Sequence, residues 1–268
     1  MYDVMEMSLG NLSRLYQYMQ NKVHGAAFNL KGFDYAWLTS SREWRQDEKV
    51  LDVGAAYSPL PIHIRETFGS EVWVVDDFGL KSDLSFWARN RSPQEFVSSH
   101  PQIKYVLERL GDQAKSSLPA GYFDVVYSIS VLEHIPQSLM ESVWQHMDSL
   151  LKPGGEMLHA IDLSFPSNRG LWKLLGTELY DAFYVFVPHG LRVRHCMATP
   201  KAYTRLALST LSTHHSMRKE LSVRNMVLDP DILTEGYEYG INRITKDGMK
   251  DYRYQRTGTL LLHLRKKA

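Results

Sequence analysis

Residues 50–61, VLDVGAAYSPLP, constrain what this chain can fold into more than any other stretch. Val50-Leu51-Asp52-Val53 is an apolar run carrying one acid, the pattern of a strand buried on both faces of a parallel sheet. Gly54, Ala55 and Ala56 follow at once, and small residues let the backbone turn tightly and approach a ligand. After Pro59 and Pro61, IHIRETFG reads as a short helix ended by Gly69. Strand, tight turn and helix form the unit with which α/β proteins hold nucleotide-like ligands at the carboxyl ends of their strands. Taken alone, an ordinary buried strand and turn accounts for the same residues.

A dinucleotide site requires G-x-G-x-x-G, whose glycines admit a pyrophosphate. The chain has D-V-G-A-A-Y-S-P instead, a single glycine with an acid two residues before it. A carboxylate there repels phosphate and suits an ammonium group. S-adenosylmethionine carries an amino-acid end, a sulfonium and no phosphate, so the acid favours it over NAD.

Three further stretches come in order: EVWVVDD, GDQAKSSLPAGYFDVVYSISVLEHIP and LLKPGGEMLHAIDL. With these the chain resembles a class I S-adenosylmethionine-dependent methyltransferase of the small-molecule branch, closely over residues 48–163 and loosely at the last strand. The resemblance implies an α/β fold: a Rossmann-like, seven-stranded, mostly parallel sheet with helices on both faces. It implies S-adenosylmethionine as cofactor, held by Asp52, Gly54, Ala55 and Ala56. Ala56 stands where the family often has glycine.

Strands are expected at residues 49–53, 72–75, 103–107, 123–128, 156–161 and 257–264, the last antiparallel. By match to the family, Asp76 accepts hydrogen bonds from the ribose hydroxyls, while Asp77 caps the next segment. Asp112 matches the acid facing the adenine amino group and Gln113 the amide facing a ring nitrogen, a sound donor–acceptor pairing; a loop acid without a ligand is the alternative. The tip Tyr127-Ser128-Ile129-Ser130 passes beside the methionine part of the cofactor, with Ser128 the chosen contact. Asp124 is structural.

For catalysis, His134 is the first candidate general base, because imidazole titrates near neutral pH and a hydroxyl acceptor must lose its proton. The competing role for His134 is local hydrogen bonding that only shapes the pocket. Asp162, after the fifth strand, orients a substrate hydroxyl or holds a divalent metal, with a turn acid or helix cap as the alternative, since no second or third metal ligand can be placed from sequence. His189 and His195 are rival bases. The sequence after the fourth strand, Ser128-Ile129-Ser130-Val131, lacks the Asn/Asp-Pro-Pro-aromatic motif of DNA amino-methyltransferases.

Two regions decorate the fold within a single domain spanning residues 1–268. Residues 1–46 carry Leu9, Leu12, Leu15, Tyr16 and Met19 at helical spacing, with a second helix around residues 33–44. They form a helical cap, either packed on the sheet or covering the site. Residues 163–200 are aromatic and apolar, with His189, Arg192, Arg194 and His195 clustered, and are expected to set acceptor specificity. A homodimer contact suits this segment better than an interfacial membrane helix, because it lacks a lysine-rich face.

The net charge of +1 gives no field to recruit nucleic acid, and the aromatic and arginine content of residues 78–102 is too short a basic run to change that. The one cysteine, Cys196, allows no internal disulfide and fits a reducing, cytoplasmic setting. The N-terminus lacks a signal-peptide pattern, and no run of about 18 apolar residues predicts a membrane span. The expected reaction is methyl transfer to a small-molecule acceptor, a sugar or natural-product hydroxyl. A small amine as acceptor, or a catalytically inactive cofactor-binding subunit, are the alternatives.

Overall fold

The computed structural model describes residues 2–5, 7–21, 23, 30–78, 92–111, 113–135, 137–166 and 255–268. In chain order the elements are β1 (Tyr2–Val4), α1 (Leu9–Gln20), α2 (Leu30–Ser40), β2 (Lys49–Val53), α3 (Leu60–Phe68) and β3 (Glu71–Val75). Next come α4 (Pro93–Ser98), β4 (Lys104–Val106), β5 (Phe123–Ile129), α5 (Gln137–Leu150), β6 (Leu151–Pro166) and β7 (Gln255–Lys266).

The strands form one seven-stranded sheet in the order β1-β7-β6-β5-β2-β3-β4. Strands β2 to β6 are parallel, β7 is antiparallel to β6, and β1 is antiparallel to β7. From β2 the chain moves outward to β3 and β4, then returns to the other side of β2 for β5 and β6. The order therefore reverses between β2 and β5, and the ligand crevice of such a sheet lies at the carboxyl ends of those two strands.

Alternation along the strands divides the core in two. Leu51, Val53, Val126, Met157, Leu262 and Leu264 face α5, packing on Met140, Val143, Trp144 and Met147. Val50, Val74, Val125, Leu158 and Leu261 face α1, α2 and α3, packing on Leu15, Met19, Phe33, Trp37 and Ile64. The N-terminal helices are thus part of the core on one sheet face. Local signals set the ends of the elements. Ser8 caps α1 by accepting from the Asn11 amide, and Gly69 ends α3 in the left-handed conformation that glycine adopts without strain.

At the amino ends of the strands, a buried ion cluster ties α2 to the last strands. Arg42 donates through both Nη atoms to Glu48 (2.7 and 2.8 Å) and through Nε to Glu156 (2.7 Å). His263 and Arg265, on β7, also engage Glu156. Burial pushes the Glu156 carboxyl up, but the His263 hydrogen bond and the charges of Arg42 and His263 hold it well below the usual carboxylate range. Asp124 acts at the same edge, accepting from the Lys49 amide and from Lys152 Nζ, a structural role as expected.

Two features depart from the expected elements. The first residues form a strand, β1, with Tyr2 buried and its hydroxyl donating to Asp148. A three-residue strand shows too little alternation to be read from sequence. The fifth parallel strand, β6, runs past Ile161 to Pro166, because pairing with β7 continues from Asp162↔Thr259 to Pro166↔Gln255 and satisfies its backbone groups. The first four residues of the expected 163–200 segment are therefore strand. The rest of that segment, together with His189, Arg192, Arg194, His195 and Cys196, lies outside the described residues, as do residues 79–91 and 201–254.

Candidate functional site

Four loop tips meet at the carboxyl edge, and their backbone is unusual. Gly54, just after β2, has φ of 78° and donates its N–H to Val75 O at 2.9 Å. A Cβ on Gly54 would stand 2.5 Å from Val131 Cγ1, in the tip after β5. Only glycine lets these two tips close together.

Three residues near Gly54 adopt left-handed backbone without being glycine: Ala56 (φ 46°) after β2, Phe78 (φ 48°) after β3 and Ser130 (φ 53°) after β5. Each such residue costs on the order of 1–3 kcal/mol and persists only where its surroundings enforce it. The enforcing group for two of them is Asp76. Its Oδ2 accepts from the Ala56 amide at 2.7 Å and its Oδ1 from the Phe78 amide at 2.6 Å. Burial pushes the Asp76 carboxyl up, the two amides pull it partway back, and Asp77 adds to the rise. Asp77 itself faces Arg109 at 3.9 Å.

Asp52 lies beneath the tips, 2% exposed. Burial and then the negative charge of Asp52 raise the Tyr127 phenol far above its ordinary range and push Tyr105 up to about 12. The Asp52 carboxyl therefore sits under the crevice, close to Tyr127 and Tyr105. Ala55 is buried against the core on the α2 side. From α2, the Tyr35 hydroxyl reaches Ser58 Oγ at 3.0 Å, so the N-terminal region touches the loop after β2 as well as the sheet. Tyr57 packs edge-on against Phe96 and tilted against Phe78, giving the β2–β3 side an aromatic wall.

On the β5 side, a one-turn 3₁₀ helix carries Leu132, Glu133 and His134. Leu132 and Glu133 are buried, whereas the His134 side chain is 42% exposed, with Nε2 at 3.8 Å from Glu133 Oε1. Ser128 is fully buried in β5, with its Oγ 2.8 Å from His159 Nδ1. His159 packs edge-on against Trp144. On the β4 side, the Gly111 amide donates to Nδ1 of buried His146 at 3.1 Å, and Glu108 accepts from Ser116 and Ser117. Asp112 lies outside the described residues; Gln113 opens the 3₁₀ turn Gln113–Lys115. Asp162 pairs with Thr259 through the backbone.

The structure thus gathers Asp52, Gly54, Ala55, Ala56, Asp76 and His134 at one edge of the sheet, whereas Ser128, expected beside the methionine part of the cofactor, is fully buried with its hydroxyl engaged by His159. Tyr35 is a neighbour that sequence reasoning did not select, and Ser130 was expected only as part of the tip beside the methionine part of the cofactor, with Ser128 as the contact. A serine forced into left-handed backbone carries no signal in sequence, and Tyr35 lies where the second helix was poorly marked. Among the described residues, no cluster of three His, Cys, Asp or Glu could hold a metal ion, and no helix is long and apolar enough to cross a membrane.

The residues at the edge fit a cofactor with an amino-acid end and a nucleoside. Gly54 keeps open the space a Cβ would fill, the Asp52 carboxyl lies buried beneath the tips, and Asp76 stands at the end of the second parallel strand.

Solved structures share this architecture. A phosphoethanolamine N-methyltransferase of Haemonchus contortus superposes with a TM-score of 0.52 at 14% identity, over 88% of this chain and 52% of that one. The chain therefore spans about half the length of that protein. A geranyl diphosphate C-methyltransferase of Streptomyces coelicolor A3(2) superposes with a TM-score of 0.51 at 14% identity, over 99% of this chain and 92% of that one. At these identities the likeness is one of fold. No curated protein sequence matches the chain. The profile of the family described as methyltransferase domain matches residues 24–209, well over half of the chain. With that match on a class I α/β fold, the chain belongs to the methyltransferase-domain family.

Proposed function

We propose that the protein transfers the methyl group of S-adenosylmethionine to a small-molecule acceptor, and that the accepting atom is a hydroxyl oxygen of a sugar or natural product. The observation that carries this reading is the convergence of strained tips at the β2/β5 switch point, with Gly54 hard against Val131 and Asp76 holding Ala56 and Phe78. The solved neighbours were crystallised with S-adenosylhomocysteine and with small acceptors, which supports the same cofactor and an acceptor of that size.

S-adenosylmethionine brings an already activated methyl on its sulfonium. The protein's residues then bind, align and manage one proton. Asp52 provides negative charge for the ammonium end, and Asp76 receives ribose hydroxyls. Asp112 and Gln113 complete the adenine side. Alignment of acceptor, methyl and sulfur is the main contribution to rate.

His134 is the general base of this reading. It is exposed beside the β5 tip, with its Nε2 3.8 Å from Glu133 Oε1. Asp162 and His189 are the alternative catalytic groups of this reading. With the cofactor bound, the acceptor oxygen would take the methyl group that the sulfonium supplies, and His134 would take the acceptor's proton.

The test is methyl transfer from labelled S-adenosylmethionine to a panel of sugars, phenols and small amines. Transfer to hydroxyl acceptors, slowed about 10²–10⁴-fold by His134→Ala with S-adenosylhomocysteine affinity kept, is the expected result. Transfer confined to amines, or wild-type rates in the variant, would contradict it.

A further inference from the structure

We infer that His146 is a positioning residue for cofactor recognition: from α5 it holds the backbone at Gly111, where the stretch carrying Asp112 begins. This rests on the reading above that Asp112 and Gln113 complete the adenine side, and deepens it.

His146 sits on a helix whose Val143, Trp144 and Met147 belong to the core. It is itself 2% exposed, at a position where packing alone would favour an apolar side chain. Burying a polar ring is unfavourable unless its nitrogens are engaged. Its Nδ1 accepts the Gly111 N–H at 3.1 Å, from a residue 35 positions away in the chain. An accepting Nδ1 carries no proton, so the ring is neutral with its proton on Nε2.

Gly111 is pressed against the same helix. Its φ is 113°, and a Cβ there would stand 3.1 Å from Val143 Cγ2 and 3.3 Å from Ser142 Oγ. Leu110, one residue earlier, packs against the α5 side of the core. Glu108 supplies a second tether by accepting the Ser117 amide at 3.0 Å and the Ser116 hydroxyl. The stretch that carries Asp112 and Gln113 therefore runs between two fixed points, and His146 makes the one next to Asp112. Groups that recognise a ligand depend on side chains behind them to keep their geometry. His146 is in place to do this without touching the cofactor.

Three variants test it. His146→Leu removes the acceptor. His146→Gln also removes it, because its amide falls where Nε2 stands, but it stays polar. His146→Asn puts an amide oxygen where Nδ1 stands and keeps the bond. Each full-length protein is titrated calorimetrically with S-adenosylhomocysteine and with S-inosylhomocysteine, whose ring carries a carbonyl in place of the amino group. The unaltered protein is expected to prefer S-adenosylhomocysteine by about tenfold or more, the size of one hydrogen bond to a charged group. In the Leu and Gln variants the affinity for S-adenosylhomocysteine falls about tenfold, while that for S-inosylhomocysteine stays within about twofold. The Asn variant keeps the preference within about threefold. A merely structural role would lower both affinities together and leave the preference intact. An intact preference in the Leu or Gln variant, whichever folds, would overturn the assignment, as would an Asn variant that discriminates no better than they do. If the unaltered protein shows no preference, the adenine reading itself fails and the assignment with it, an outcome distinct from a preference that survives substitution of His146.

Discussion

Asp76 and Ala56 are joined across two strand ends: the Asp76 Oδ2 atom accepts the Ala56 amide at 2.7 Å and holds that alanine in left-handed backbone. The same carboxylate accepts from Phe78 through its other oxygen. One acid thus shapes the loop after β2 and the turn after β3. Asp76→Ala removes both acceptors and frees two strained residues to relax. Its expected outcome is S-adenosylhomocysteine affinity at least about tenfold weaker, because two amide-to-carboxylate bonds are lost along with the ribose contact. Calorimetric titration checks this, and unchanged affinity would remove Asp76 from the site.

Gly54 and Val131 make a second pair. Gly54→Ala combines a left-handed φ of 78° with a Cβ 2.5 Å from Val131 Cγ1. A loss of about 1–3 kcal/mol in stability is expected, with cofactor binding weakened. Adding Val131→Ala to that variant removes the colliding methyls, and the double variant recovers part of the loss. Denaturant midpoints for the cycle measure the coupling, and strict additivity would contradict the contact.

The ion cluster at the opposite edge is predicted to act on stability alone. Arg42→Ala removes the buried partner of both Glu48 and Glu156, leaving Glu48 to Arg45 and Glu156 to His263 and Arg265, so the cost falls below the ~3–5 kcal/mol of a fully broken buried pair but above about 1 kcal/mol. Arg42→Lys retains the charge but loses the fork to Glu48, so it falls between the two. Urea denaturation provides the measurement. A change below about 1 kcal/mol for the alanine variant would contradict the account.

Acidification is expected to destabilise the fold through His159. Burial pushes its imidazole down from 6.5 to about 3. As pH falls below 6.5 the unfolded chain takes up a proton that the folded chain refuses, so the stability contribution is complete above 6.5 and is lost progressively towards about 3. Melting temperatures between pH 7 and pH 4 fall less steeply in His159→Gln than in the unaltered protein; parallel profiles would contradict this.

Much of the frame was legible because single residues dictate local structure. Val50 to Val53 had to be a doubly buried strand, Gly69 had to end α3, and Asp124 was legible as structural from its place in β5. The first and last strands were less legible. The β1 strand depends on pairing with β7, more than 250 residues away, and β6 is extended by that same partner. The shape of the strand ends was legible where residue type dictates it, as with Gly54 and Asp76. It was not legible where conformation does. Ser128 and Ser130 are chemically identical, and only the fold commits one to His159 and leaves the other beside Gly54.

The most direct test of the account is titration of the purified chain with S-adenosylhomocysteine and, separately, with NAD. Saturable binding of S-adenosylhomocysteine and none of NAD is the predicted result, set by one glycine and a buried acid beneath the loop after β2. Binding of NAD, or no binding of S-adenosylhomocysteine with or without acceptors present, would contradict it.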